Sequence, residues 1–218
     1  MKLNTTVKSE NLFKLNSFEE DALKELGNIS SCYSLTSLSE ITGEVYSISL
    51  PDIELIPLKN VHKKIEMDNI VAGIMLEFEG GLSGYMQFLF PDYSAYTLTD
   101  KLLMNEPGVT TSISSDMEKS VLKEIGNILS SAFCDALAEF LEITVMPLPP
   151  NFAFDMMGPL MEEAIVLMSN KDMSDNILLF KCDFKSESSS ICGYTLLYPD
   201  CESFKKMILM LESKLHHT

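Results

Sequence analysis

The chain has 218 residues, 46% of them hydrophobic, and a net charge of −16 from 32 acidic and 16 basic residues. That length admits one large domain or two small ones, with apolar material for a sizeable core. All 16 basic residues are Lys and none is Arg, which argues against nucleic acid and anionic membrane surfaces, both bound through clustered Lys and Arg.

The N-terminal Met1-Lys2-Leu3-Asn4-Thr5 lacks an apolar signal core, and no run of about 18 apolar residues suggests a membrane span. The first long element is a helix. Ser17 is its expected cap, with Glu20 three residues on as in a capping box. Leu23, Leu26, Ile29 and Tyr33 then recur at helical spacing, and Gly43 is a natural stop. Two β-like segments follow at 69–79 and 82–92, and Ser94–Met104 reads as a closing helix. Pro107-Gly108 suits a connection. A second long helix starts at Ser115 or Asp116 and runs to about Glu142, with Val121, Leu122, Ile125, Ile128, Leu129 and Ala132 on its apolar face. Further β-like segments at 176–184 and 190–200 precede a closing helix at Met207–Leu215.

The two long helices are near copies. Residues 23–31 read LKELGNISS and residues 122–130 read LKEIGNILS, identical at seven of nine positions with an offset of 99. The same offset pairs Leu38 with Leu137, Glu40 with Glu139 and Pro51 with Pro150. A period near 100 is too long for a solenoid and reads as two fused modules. The expected fold is therefore α+β: two pseudo-symmetric α-β-β-β-α repeats, 1–108 and 109–218, forming one compact pseudo-twofold unit. Its sheet should be mainly antiparallel and flanked by the long helices.

Within each helix, Glu25 and Asn28, and again Glu124 and Asn127, stand three residues apart and share a face. Asp21 and Ser120 extend those faces by four residues. Asn is a poor helix-interior residue because its amide competes for backbone hydrogen bonds. Gly27 and Gly126, beside the two Asn, each cost about 1 kcal/mol relative to Ala. One such tetrapeptide is ordinarily a solvated helix face with a Gly for close packing. Two at a fixed offset in matching helices point to function.

The pattern Asp/Ser-x-x-x-Glu-x-x-Asn, followed about 23 residues later by Pro, resembles the CheC/CheX/FliY phosphatase family. Here it reads Asp21, Glu25, Asn28 and Pro51, then Ser120, Glu124, Asn127 and Pro150. The stretch EIGNILSSAFCDALAEFL (124–141), with PLPP and Asp155-Met156-Met157-Gly158, is similar to the second repeat of CheC proteins. Two copies favour CheC over CheX, which resembles one module working as a dimer. No room is expected after Thr218 for the switch domain that FliY proteins carry. Ser30–Ser34 departs from the family's Gly/Ala-rich pattern, and Tyr33 is the bulkiest departure.

The resemblance implies hydrolysis of the aspartyl phosphate of a CheY-like response regulator in two-component chemotaxis signalling. Asn28 and Asn127 would position the attacking water. Glu25 and Glu124 would pair with a lysine of the regulator, and Asp21 and Ser120 would support docking. Mg²⁺ is expected on the regulator, with no cofactor on this chain. The alternative is a non-enzymatic adaptor that binds a response regulator or a CheD-like deamidase. A sugar-hydrolysing carboxylate pair finds no support, since there is no Trp and the glutamates sit singly in separate helices. The five Cys, odd in number and without a CxxC pair, read as small apolar residues. The three His have no ligand spacing. A cytoplasmic, soluble monomer is expected.

Overall fold

The structure, a computed structural model, describes residues 15–48, 52–169 and 173–215. Met1–Thr5, Pro51, His216 and His217 lie outside the described residues, as does the side chain of Cys182.

Helix α1 spans Ser17–Thr42 and helix α3 spans Asp116–Leu141, each 26 residues long. Both open with a complete capping box. In α3 the Ser115 hydroxyl accepts from the Glu118 amide, and Glu118 accepts from the Ser114 and Ser115 amides. In α1 the box is formed by Asn16 and Glu19, one residue before the Ser17/Glu20 pair expected from sequence. Both registers read as polar-x-x-Glu. The one adopted lets Glu19 fold back on the Asn16 amide and become buried. At the other end, Gly43 closes α1 in the left-handed region (φ 70°), as expected. In α3 that conformation falls on Glu142 (φ 55°).

The remaining elements are β1 (Ser47–Ile48), β2 (Asp52–Pro57), a 3-10 helix (Leu58–Lys63), β3 (Ile70–Gly80), β4 (Gly84–Pro91) and α2 (Asp92–Leu102) in the first half. The second half adds β5 (Val145–Pro147), β6 (Asn151–Met156), α4 (Met157–Ser169), β7 (Asn176–Lys185), β8 (Ser190–Pro199) and α5 (Cys201–Leu215). Among the described residues each half shows four strand segments where three strands were expected, with a helical insert before its hairpin. The closing helices begin earlier than predicted, α2 at Asp92 rather than Ser94 and α5 at Cys201 rather than Met207.

All eight strands form one sheet, antiparallel throughout, in the order β1-β7-β8-β4-β3-β5, with β2 also on β7 and β6 also on β3. Each half lends its early strands to the other half's hairpin. Ile53 of β2 stands opposite Phe180 of β7, and Phe152 of β6 stands opposite Ile74 of β3. Exchanging the halves maps this order onto itself, with β4 and β8 paired at the centre.

Strands β3 and β4 are buried on both faces along most of their length, so they read as nearly continuous apolar runs. Alternate residues point to opposite sides. Ala72, Ile74, Leu76 and Phe78 join Leu26, Leu122, Ile125 and Leu137 in the core beneath α1 and α3. Val71, Leu89, Leu179 and Tyr198 join Met157, Leu160 and Met161 of α4 on the far side. Tyr198 is fully buried there, and its hydroxyl donates to Gln87 Oε1 at 2.7 Å across the central strand pair. Burial pushes that phenol well above its usual range.

Candidate functional site

Helices α1 and α3 pack against each other, and Tyr33 on α1 donates its hydroxyl to Glu139 on α3. That contact turns Tyr33 toward the neighbouring helix.

The inner face of each helix is fixed by apolar side chains and one glycine. Leu23, Leu26 and Gly27 are buried in α1, as are Leu122, Ile125 and Gly126 in α3. A β-carbon on Gly27 would run into the Ile53 side chain, and one on Gly126 would run into Ile74. Both glycines therefore have a packing reason: they let the helix lie directly on the sheet.

With that face set, the predicted site residues fall on the opposite side. Asp21 and Glu25 are exposed and Asn28 is half-buried; Ser120, Glu124 and Asn127 are all exposed. None of the six is in the core. The structure thus places each trio on the outer face of its own helix.

The two faces differ in their supports. On α3, Ser130 and Ser131 both donate to the Asn127 carbonyl oxygen at 2.9 Å, which tethers the backbone beneath the amide. Ser120 turns its hydroxyl back to the Asp116 carbonyl at 2.7 Å. On α1, Asp21 instead holds Lys24 at 3.3 Å.

Next to the second trio runs an open groove of about 410 Å³, lined by Ser120, Lys123, Glu124, Asn127 and Pro147–Pro150. The PLPP stretch leaves β5 and is pinned by the Leu148 amide, which donates to the Glu77 carbonyl at 2.8 Å. Proline restricts the backbone there, so the wall opposite Asn127 is stiff. Pro150, singled out by its spacing from Asn127, is part of that wall. A groove beside α1 is lined by Leu15, Glu20, Leu23, Lys24, Ile53, Glu54 and Leu55, without Glu25 or Asn28.

A cavity of about 450 Å³ lies on the far side of the sheet, between β3, β6 and α4, and holds none of the six predicted residues. Among the described residues, no three His, Cys, Asp or Glu side chains converge as a metal cluster. Nor is any helix there long and apolar enough to cross a membrane.

Taken from the residues, each outer face offers a carboxylate and a carboxamide one helical turn apart. An amide oxygen and NH₂ hold a water without being protonated, and an exposed Glu can meet a lysine on a partner. The sequence did not single out the PLPP wall as a groove or the serine tethers under Asn127. The 23-residue spacing to Pro150 was the signal for the first; the second had none.

Residues 117–153 match the model of the CheC-like family. The chain is 25% identical over 197 residues to the CheY-P phosphatase CheC of Bacillus subtilis (strain 168), covering 89% of this chain and 94% of that protein. Among solved structures, Thermotoga maritima FliY aligns with a TM-score of 0.72 at 20% identity, covering 92% of this chain and 98% of that one. The FliM middle domain of H. pylori aligns with a TM-score of 0.63 at 10% identity, covering 90% and 99%. The chain therefore resembles the CheC-type chemotaxis phosphatases in sequence and shares the fold of FliY. The fold alone does not assign chemistry.

Proposed function

We propose that this chain is a phosphatase that hydrolyses the aspartyl phosphate of a CheY-like response regulator at two sites. Asn28 and Asn127 position the attacking water, and Glu25 and Glu124 dock the regulator. The observation that carries this reading is the placement of two matched Glu/Asn pairs on outward faces, with a glycine in each pair seating its helix on the sheet. The likeness to the Bacillus subtilis CheY-P phosphatase CheC supports the substrate class.

Phosphoryl transfer of this kind is mostly positioning and charge stabilisation. In the proposed complex the regulator brings the phosphoaspartate, its lysine and its own Mg²⁺. The helix enters with Glu against that lysine, which sets the Asn amide over the phosphoryl group. A water held by the amide then attacks phosphorus in line with the leaving carboxylate, giving free Asp and inorganic phosphate. Asp21 and Ser120 support docking at the edge of each helix. The same reading takes 1–108 and 109–218 as two copies of one module, supported by the 99-residue offset and the matched strand exchange.

The test is phosphate release from an acetyl-phosphate-labelled CheY-type regulator. Asn28→Ala with Asn127→Ala should return the rate to the regulator's own, a loss of several kcal/mol in barrier lowering by analogy with single-donor deletions. The thermal midpoint should be unchanged, because neither side chain packs in the core. Stimulated release persisting in a folded double variant refutes the assignment.

A further inference from the structure

The two helices agree at the amide and disagree in what leads up to it. Residues four apart on a helix form a row along one face. On α3 the row is Lys119, Lys123, Asn127; at the same offset α1 carries Glu20, Lys24, Asn28. The neighbouring row is Ser120, Glu124 against Asp21, Glu25. The four residues of these two rows before the amide thus carry one net positive charge on α3 and two net negative charges on α1.

The contacts widen this difference. Lys24 is held by Asp21 and shares its groove with Glu20 and Glu54. The position matching Glu54 is Ala153 and the position matching Asp21 is Ser120, so α3 lacks both carboxylates. Among the described residues, neither Lys119 nor Lys123 has an ion-pair partner. The adjacent carboxylate, Glu118, is committed to the cap, where the Ser115 and then Ser114 amides hold it below its usual range, with a smaller pull from the Lys119 charge. Lys123 lines the groove with Glu124 and Asn127. In a chain of net charge −16, this approach repels an anion less than the matching rows of α1, although Glu124 shares the groove and Glu118 lies beside Lys119.

We infer that Lys119 and Lys123 are the anion-docking residues of the second site. They face the phosphoryl group and acidic surface of the phosphorylated regulator and give the α3 site a higher affinity than the α1 site. The inference rests on the phosphatase reading for its substrate. Charges beside a site act mainly on encounter and affinity, and salt screens them over about 8 Å at physiological ionic strength.

The test isolates each site, with Asn28→Ala leaving α3 and Asn127→Ala leaving α1. In the α3-only protein, Lys119→Glu with Lys123→Glu should raise KM for the phosphorylated regulator by about tenfold or more, with kcat within about threefold. Much of the salt dependence should disappear with it. In the α1-only protein, Glu20→Lys, which puts at position 20 the charge of Lys119, should lower KM. The reciprocal gain guards against a merely unfolded variant. Equal KM values for the two sites, unmoved by either exchange, would overturn the inference while leaving catalysis intact. If no variant and no wild-type protein releases phosphate, the phosphatase reading fails instead. Binding of the regulator's beryllofluoride adduct then decides: weakening by the α3 reversal upholds Lys119 and Lys123 as docking residues, and indifference removes them.

Discussion

Helices α1 and α3 share length, capping box, buried glycine and outward Glu/Asn pair, yet their surroundings diverge. Under Asn127 two serine hydroxyls share one carbonyl; at the positions matching those serines α1 has Ser31 and Cys32. Where α1 ends, Glu44 accepts hydrogen bonds from Lys101, Ser186 and Ser188; the matching position after α3 is Ile143, half-buried against the core. What coincides is what a water-positioning amide needs: helix seating and side-chain spacing. What differs is the approach to the amide and the bracing of the scaffold. On the proposed reading, two sites on one frame keep one chemistry and take different partner affinities.

The largest effect that separates the two helices concerns docking. Glu124→Lys and Glu25→Lys place like charge against the regulator's lysine, and each should weaken binding at its own site by about tenfold or more. Measured by titration with each site isolated, the absolute loss should be greater at α3. Binding indifferent to both reversals would reduce the glutamates to solvated surface.

The two glycines should respond unequally to Ala. Gly27→Ala meets mainly the terminal atoms of Ile53, which can rotate away, and the helix gains about 1 kcal/mol of propensity. Gly126→Ala meets the branch atoms of Ile74, fully buried in β3 beside the centre of the sheet. Overpacking there should cost about 1–3 kcal/mol. Denaturant unfolding should therefore show a lower midpoint for Gly126→Ala than for Gly27→Ala. The reverse order would mean that α3 is the looser of the two seats.

Much of this frame was legible from the chain. The Ser115 cap, the Gly43 stop and the four hairpin strands followed from local chemistry and periodicity. The cap of α1 was read one residue late because Asn16-x-x-Glu19 and Ser17-x-x-Glu20 carry the same signal, and burial of Glu19 decides between them. Helix α4 was not among the expected elements; it holds Pro159 in its first turn, where the missing amide has no helical partner. The exchange of β2 onto β7 and β6 onto β3 is non-local pairing, which no short pattern encodes. Of the six proposed site residues, the Glu/Asn pairs were visible because the sequence repeats them at one offset, whereas Asp21 and Ser120 differ and were carried by the resemblance alone. The charge rows were equally present in the letters, but they acquire meaning only once the exposed face of each helix is known.

The smallest effect concerns the brace at the end of α1, where Glu44 meets Lys101 of the first half and Ser186 and Ser188 of the second. The Lys101 ammonium, with help from Ser186 and then Ser188, holds the Glu44 carboxyl at about 2 against its usual 4.5. A depressed folded value stabilises above the unfolded value, and that stabilisation is lost as pH falls from about 4.5 toward 2. Glu44→Gln should lower stability at neutral pH by about 1–2 kcal/mol, below the full scale of a hydrogen bond to a charged group because solvent screens this partly exposed carboxylate. The difference from wild type should shrink as pH falls through that window. A deficit independent of pH would assign the loss to packing.

The most direct measurement of the central claim is the initial rate of stimulated phosphate release from one phosphorylated CheY-type regulator, read for wild type, Asn28→Ala, Asn127→Ala and the double variant. Two independent amide-dependent sites predict that the single variants' stimulated rates add up to the wild-type rate. The larger share should remain in Asn28→Ala, and the double variant should fall to the regulator's spontaneous rate. A folded double variant that still stimulates release at the wild-type rate would contradict the account.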